Sequence, residues 1–308
     1  MTESLPELQL GTAPLVFLVI LNWNGWSDTV ECVESCRKLT YPNFRILIVD
    51  NGSTDGSEAI LRERFPDIEF IQTGANLGFA GGNNAGIRRA LELGAEYVWL
   101  LNNDTVVDAE SLSALVRVAE GDTGIGMVGS KIVYYDNPRL IWFAGAVLDP
   151  TKPHRPHHRG LREEDRGQYD TTEETGYVTG CSLLARREMI EQVGLLEEEL
   201  FLYFEDVDWS ARDRRAGWRL MYAPASVVRH KESSSAGGAA SPTVVYYTAR
   251  NRLYFVRRNF PAKFARAFWY DLFEHVAVNV KKGRLAAARC AVRGMWDFFR
   301  GRGGCCQI

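Results

Sequence analysis

No apolar run in this chain of 308 residues approaches the roughly 20 that a bilayer-spanning helix needs. The N-terminal stretch MTESLPELQLGTAP lacks a basic segment followed by an apolar one, so no signal peptide is expected. Cysteine is scarce. Cys32, Cys36, Cys181, Cys290, Cys305 and Cys306 form neither a disulfide framework nor paired C-x-x-C zinc spacing. There is also no G-K-[ST], which argues against a P-loop ATPase. With 46% apolar and 24% charged residues, the composition is that of an ordinary globular protein with ample material for a core. The cytoplasm follows as the default compartment.

The net charge of −3 is unevenly spread. From Val245 onward, 13 Lys and Arg face 3 Asp and Glu, so a basic segment follows an acidic body. Such a segment suits an anionic partner, either lipid headgroups or nucleic acid. Its aromatic residues (Phe264, Phe268, Trp269, Phe273, Trp296, Phe298 and Phe299) look helical rather than sheet-borne, so no nucleic acid is expected. Three readings are left: packing on the body, a homodimer, or peripheral docking on an anionic membrane surface at its cytoplasmic face.

What the sequence does have is a regular alternation. Leu15–Asn22, Phe44–Asp50, Ile68–Thr73 and Tyr97–Leu101 read as buried strands. Between them fall a helix capped by Ser27 or Asp28, a helix capped by Ser57 and running to Arg64, and a helix over Ile87–Leu93. This predicts an α/β fold with a parallel sheet and right-handed crossovers. Beyond Asp104 the pattern loosens. A helix is expected at Ala109–Glu120, strands at Ile125–Tyr135 and Leu140–Leu148, and a long loop at Lys152–Asp170 whose His154, His157 and His158 read as solvated. Thr175–Leu184 returns to the core, and Phe201–Trp218 holds a helix. Leu220–Ala223 and Val227–His230 read as short strands, and Lys231–Pro242 as a flexible polar segment. Three helices follow, over Val244–Asn259, Ala262–Val280 and Arg284–Arg300.

Four polar clusters sit where strands end or helices begin. Asp50–Asp55 can accept hydrogen bonds from a nucleobase edge or ribose, or form an Asx-type turn before a helix. Asn76–Gly86 (NLGFAGGNNAG) suits close approach of backbone N–H groups to a phosphate, although Gly78-x-x-Gly81 is not the dinucleotide fingerprint. Asn102-Asn103-Asp104 either caps the next helix or offers a carboxylate to a divalent ion that neutralises a leaving diphosphate. Glu205-Asp206, with Asp208, either complements a helix dipole or supplies a general base whose pKa a neighbouring carboxylate raises. His230 can add a metal ligand or be a surface residue.

The order of these clusters resembles the family 2 glycosyltransferases of the GT-A fold, in their rhamnosyltransferase-like branch. The matching residues are Ile20–Gly25 (ILNWNG), Val49–Ser57 (VDNGSTDGS), NLGFAGGNNAG, Leu100–Thr105 (LLNNDT), Thr179–Arg187 (TGCSLLARR), FLYFEDVDW, Val227–Ser235 (VVRHKESSS) and Arg250–Pro261 (RNRLYFVRRNFP). The resemblance implies a Rossmann-like catalytic domain over residues 1–243, with a nucleotide-binding half at about 14–105 and an acceptor half at about 106–243. It has a mostly parallel central sheet, and basic, amphipathic helices follow over 244–308.

It further implies an inverting transferase that moves rhamnose or a related hexose from a dTDP- or UDP-sugar to a saccharide or lipid-linked saccharide in surface polysaccharide or glycan biosynthesis. By the same resemblance, Asn22, Asp50, Asn51 and Asp55 line the nucleoside pocket, and Asn76, Gly78, Asn83 and Asn103 the ribose and diphosphate. Asp104 and His230, with Asn102, hold Mn2+ or Mg2+, while Asp206 is the base and Glu205 its partner. Asn102 departs from the family by replacing the first Asp of a D-x-D motif. A sugar nucleotidyltransferase needs a glycine- and arginine-rich loop after the first strand, which Asn22-Trp23-Asn24-Gly25 is not. A non-catalytic nucleotide-sugar-binding protein remains a third reading.

Overall fold

The computed structural model describes residues 13–231 and 241–306. Expectations placed on the N-terminal stretch, on residues 232–240 and on Gln307–Ile308 lie outside the described residues.

The predicted alternation opens the fold: β1 (Val16–Asn22), α1 (Trp26–Cys36), β2 (Phe44–Asp50), α2 (Ser57–Arg64), β3 (Glu69–Gln72), α3 (Gly78–Glu92) and β4 (Tyr97–Asn102). These strands lie in the order β3-β2-β1-β4, all parallel. Both faces are covered: Val16, Leu18 and Ile20 of β1 enter one core layer, and Phe17 and Val19 the other. Because the strands run together, their carboxyl ends share one edge. There Asn22 pairs in register with Asp50, and Leu21 with Asn102.

The Asn76–Gly86 stretch is mostly helix rather than loop, since α3 takes in Gly81, Gly82 and Gly86. Its glycines serve close packing. A Cβ on Gly86 would lie 2.3 Å from Val19 Cγ1, and one on Gly82 2.5 Å from Leu21 Cδ1. The helix starts also differ from expectation. Gly25 and Gly56 occupy the N-cap positions of α1 and α2, and Asp55 accepts from the Ser57 N–H (3.0 Å) and hydroxyl.

The second half adds β5 (Thr105–Val107), α4 (Ser111–Glu120), β6 (Ile125–Tyr134), β7 (Ile141–Phe143), β8 (Ala146–Val147), β9 (His157–His158), β10 (Glu173–Glu174), β11 (Ser182–Arg186), α5 (Arg187–Val193), α6 (Glu205–Arg215) and β12 (Arg219–His230). β11 inserts antiparallel between β4 and β6, and β12 lies parallel to β6. The central sheet is therefore mostly parallel with antiparallel additions. β12 is one strand where two short ones were expected. Its register shifts between Ala223 and Val227, where Pro224 cannot donate to the ladder.

The Lys152–Asp170 segment is packed only around residues 153–160, while residues 161–170 are mostly exposed, as expected. β9 pairs antiparallel with β8, and the His158 ring meets Trp142 and Phe143 at 4.4 and 5.0 Å. Among the three histidines only His157 is exposed. Burial first of all pushes both His154 and His158 down to about 4.

The C-terminal helices are α7 (Pro242–Asn259), α8 (Phe264–Asp271), a π turn over Leu272–Ala277, α9 (Val278–Lys281) and α10 (Leu285–Phe299). α7 is no appendage: Val245, Ala249, Leu253, Phe255 and Val256 belong to the same core as β6 and β12. On the outside, Trp269 and Phe273 are each 65% exposed, Trp296 58% and Phe299 56%. Within the described residues no helix is long and apolar enough to cross a membrane.

Candidate active site

The carboxyl edge of the parallel strands gathers the first cluster. The Asn22 carboxamide donates to Asp50 Oδ2 at 2.7 Å, and the Ser53 N–H and Gln72 Nε2 donate to Asp50 Oδ1 at 2.9 and 2.8 Å. The Thr29 hydroxyl donates to Asn22 Oδ1 at 2.8 Å, which fixes the amide orientation. Asn51 joins the next strand end to α3: its Nδ2 donates to Asn76 Oδ1 (3.1 Å) and the Gly78 carbonyl (3.0 Å), and its Oδ1 accepts from the Leu77 N–H (3.0 Å). Asp50 and Asn51 thus form a fixed, buried floor. Asn83 donates within α3 to the Phe79 carbonyl, and Asn103 turns back to Gly25 and Thr29. Asp55 stays exposed at the start of α2.

Strand pairing creates the second cluster. β5 runs antiparallel to β12 with Thr105 opposite His230, so Asp104 and His230 meet. His230 Nε2 lies 3.2 Å from Asp104 Oδ1, and the two residues are 6% and 8% exposed. Burial works against a charged imidazole. The Cys181 sulfur and the Asp104 carboxylate beside it outweigh burial and raise His230 well above its ordinary value. His230 Nδ1 has no hydrogen-bond partner, and its ring meets Trp142 edge-on at 4.7 Å. A carboxylate, an imidazole and the Asn102 carboxamide at the end of β4 suit a hard divalent cation. Among the described residues no group of three His, Cys, Asp or Glu converges on one point, so a bound diphosphate would have to complete such a site.

The third cluster stands on a strained turn. Phe201, Tyr203 and Phe204 have φ of 63°, 70° and 74°, a region bulky residues rarely adopt, at a cost of about 1–3 kcal/mol each. Two residues of α7 hold it. Asn251 Nδ2 donates to the carbonyls of Leu200, Leu202 and Tyr203 at 2.7, 2.8 and 2.8 Å. Arg250 donates to the carbonyls of Glu199, Leu200 and Gly304 at 3.1, 3.0 and 2.8 Å. The turn also touches the donor edge, since the Phe201 carbonyl accepts from the Phe79 N–H at 2.7 Å. Gly78, at φ +74°, is needed there: a Cβ would come within 2.4 Å of that oxygen.

The turn delivers Glu205 and Asp206 to the first turn of α6. Burial raises both, Glu205 well above its ordinary value, with the Asp206 charge adding to the effect on Glu205. The pair differs in hydrogen bonding. Asp206 accepts from the Gly180 and Val207 N–H groups at 3.0 and 2.7 Å, whereas Glu205 Oε2 has no partner. Donated hydrogen bonds favour the carboxylate form, so within the pair the charge is favoured on Asp206 over Glu205. Asp206 is also the partly exposed one, within reach of a ligand.

Arg250 and Asn251 were missed as site residues by the sequence reading. A partial signal was present: Arg250, Asn251 and Arg252 interrupt the apolar positions of α7 between Val244 and Val256, and all three are buried. Asn251→Ala should strand the Leu202 and Tyr203 carbonyls, while Leu200 keeps Arg250, lowering stability by about 2–4 kcal/mol. It should also lower kcat more than it raises the donor KM. Urea unfolding and initial rates with varied donor measure the two effects.

The parallel β3-β2-β1-β4 half with helices on both faces, the inserted antiparallel β11 and the parallel β6–β12 pair make the architecture that of the GT-A fold. The sequence matches the family described as Glycosyl transferase family 2 over residues 17–194, and the chain belongs to that family. It is 32% identical over 211 residues to the N-acetylglucosaminyl-diphospho-decaprenol L-rhamnosyltransferase of Mycobacterium tuberculosis, covering 62% of this chain and 68% of that one. It is 25% identical over 260 residues to the dTDP-rhamnosyl transferase RfbF of Shigella flexneri, covering 79% and 80%. In fold it is similar to GalNAc-T7 solved with UDP, GalNAc and Mn2+ (TM-score 0.64, 17% identity), covering 90% of this chain and 55% of that longer one. It is also similar to the mannosyltransferase PcManGT of Pyrobaculum calidifontis with GDP-Man and Mn2+ (TM-score 0.58, 16% identity), covering 92% and 75%. The protein is a glycosyltransferase of glycan biosynthesis.

Proposed function

We propose that the protein transfers rhamnose or a related hexose, with inversion, from a dTDP- or UDP-sugar to a lipid-linked saccharide. The observation that carries the reading is the separation of two chemically distinct groups on one scaffold: the buried Asp104–His230 pair beside the donor edge, and the hydrogen-bonded, partly open Asp206 carboxylate on α6. The Asp50–Asn51 floor would seat the nucleoside. Asp206 would take the proton from an acceptor hydroxyl as that oxygen attacks the anomeric carbon, and the nucleoside diphosphate would leave from the opposite face. Mn2+ or Mg2+ held by Asp104 and His230, with Asn102 beside them, would supply Lewis-acid neutralisation of the leaving diphosphate. The relatives' names support the donor and acceptor classes.

Thermal-shift measurements against dTDP-, UDP- and GDP-sugars with and without Mn2+ test the reading. Stabilisation is expected with a dTDP- or UDP-sugar and should increase with Mn2+. No stabilisation by any of the three would sink it.

The lipid part of the reading is supported by the exposed Trp269, Phe273, Trp296 and Phe299 on helices that also carry Arg266 and Arg300. These helices would rest on an anionic membrane surface. In a liposome flotation assay the protein should float more with anionic than with neutral lipid. Equal behaviour, together with concentration-dependent dimers in solution, would assign the face to a second copy instead.

A further inference from the structure

Beside the catalytic turn is a cationic cluster that the transfer chemistry described above does not use. Its hub is Tyr270 of α8. The His154 ring lies 4.9 Å from the Tyr270 ring, and the guanidinium groups of Arg155 and Arg252 lie 5.6 and 5.0 Å from it. Arg266, one turn earlier on the same face of α8, donates to the Thr151 carbonyl at 3.4 Å, next to Lys152. Arg252 is neutralised by Asp271 and lies 2.8 Å from His275 Nε2. Lys152, Arg155 and Arg266 differ: all three are exposed, and among the described residues no carboxylate forms an ion pair with them.

The interior of the cluster is also incomplete. His154 is 2% exposed, yet its Nδ1 has no hydrogen-bond partner. After burial itself, the charges of Arg266, Arg252, Arg155 and Lys152 all oppose protonation of this one imidazole. Of the four cations around His154, Arg252 is balanced by Asp271 and Lys152 feels Asp149, which leaves Arg155 and Arg266 as the positive charge with no carboxylate beside it.

We propose that this cluster, between the 150–158 segment and helices α7 and α8, binds the diphosphate of a lipid-linked acceptor. The inference rests on the transferase reading above and deepens it. Its main support is adjacency. Arg252 lies 5.5 Å over the Phe204 ring, and Phe204 immediately precedes Glu205 and Asp206. α8, which carries Tyr270 and Arg266, also exposes Trp269, and Phe273 follows in the π turn. The cations thus neighbour both the turn that leads to Asp206 and the elements with exposed apolar side chains. A lipid diphosphate sugar presents a hydroxyl, then two phosphates, then a hydrocarbon chain. Arginine suits the middle position, because its planar fork pairs with phosphate oxygens bidentately. The same cations could meet phospholipid headgroups, so the test separates those two sources.

The first arm measures binding of farnesyl diphosphate in detergent, without divalent metal or donor, to the wild type and to K152E, R155E and R266E, singly and together. These positions are exposed, and charge reversal there leaves the core intact. The combined variant is expected to bind about tenfold more weakly or worse, with dTDP or UDP binding in Mn2+ unchanged. The second arm compares transfer to the same sugar carried on a lipid diphosphate and on a neutral alkyl glycoside. The wild type should favour the diphosphate, and the variants should lose that preference through KM.

Unchanged farnesyl diphosphate binding would overturn the site. So would a defect confined to anionic vesicles, which would assign the cations to headgroups. Variant-dependent farnesyl diphosphate binding by a protein that transfers sugar to neither acceptor would instead sink the transferase reading and leave the diphosphate site standing.

Discussion

Asp206→Asn should abolish most turnover, lowering kcat by about 10²–10⁴-fold, while Mn2+-dependent binding of the nucleotide sugar stays near the wild-type level. The substitution keeps the volume, but its single amide oxygen can keep only one of the Gly180 and Val207 N–H bonds, so retained nucleotide-sugar binding is the control that the loss reports on the proton and not on the fold. A non-catalytic nucleotide-sugar-binding protein predicts the reverse, with no function lost at this position. The pH profile gives a second readout. A base works when deprotonated, and burial raises the Asp206 carboxyl above its ordinary value. The acid limb of kcat/KM should therefore lie at higher pH than an exposed aspartate would give, with activity rising through it. Glu205→Gln should leave that limb nearly in place, because burial and the donated hydrogen bonds, and not a Glu205 charge, set the Asp206 shift. Initial rates across pH for the three proteins decide the matter.

Asp104→Asn should have the second-largest effect. His230 Nε2 sits 3.2 Å from this carboxylate in a nearly closed environment, so the change removes the charged ligand and unpairs a buried imidazole. Loss of Mn2+ affinity by about 100-fold or more is expected, since even outer partners of ligands are worth about 10–100-fold. The shortfall in rate should be partly recovered at high Mn2+, and nucleotide-sugar binding without metal should change little. Asn102→Asp should act in the opposite direction, adding a carboxylate and tightening Mn2+ binding. Metal titrations followed by thermal shift and by initial rate measure both, and Mn2+-independent activity in Asp104→Asn would contradict the assignment.

The sheet and its edge could be read from the chain because each strand is a continuous apolar run that ends in a polar residue. Asp50 and Asn102 end β2 and β4 within a residue of the expected positions. What could not be read depends on distance in the chain. The glycines of α3 looked like loop residues because their partners, Val19 and Leu21, lie more than sixty positions earlier. His154 and His158 looked solvated, as the exposed His157 is, because the aromatic rings that cover them come from β7 and α8. The Asp104–His230 contact depends on an antiparallel pairing of β5 and β12, and no local pattern encodes that register. Asn251 was hidden for the same reason: its acceptors are three backbone carbonyls of a turn about fifty residues away.

The latch that α7 places on the 201–204 turn also sets an order of assembly. The Asp50–Asn51 network lies wholly before residue 105, in local strand–helix–strand units that need little chain to close. The turn carrying Asp206 is finished only by Arg250 and Asn251, and Arg250 in turn binds the Gly304 carbonyl. A nascent or nicked chain ending before α7 would therefore own the Asp50–Asn51 network and, if it transfers sugar as proposed, the proposed base, yet hold Asp206 on an unsupported, strained turn. Competence to grip a nucleotide would come early in the life of the polypeptide and competence to spend it late. The half-made enzyme would be a holder of activated sugar that cannot waste it.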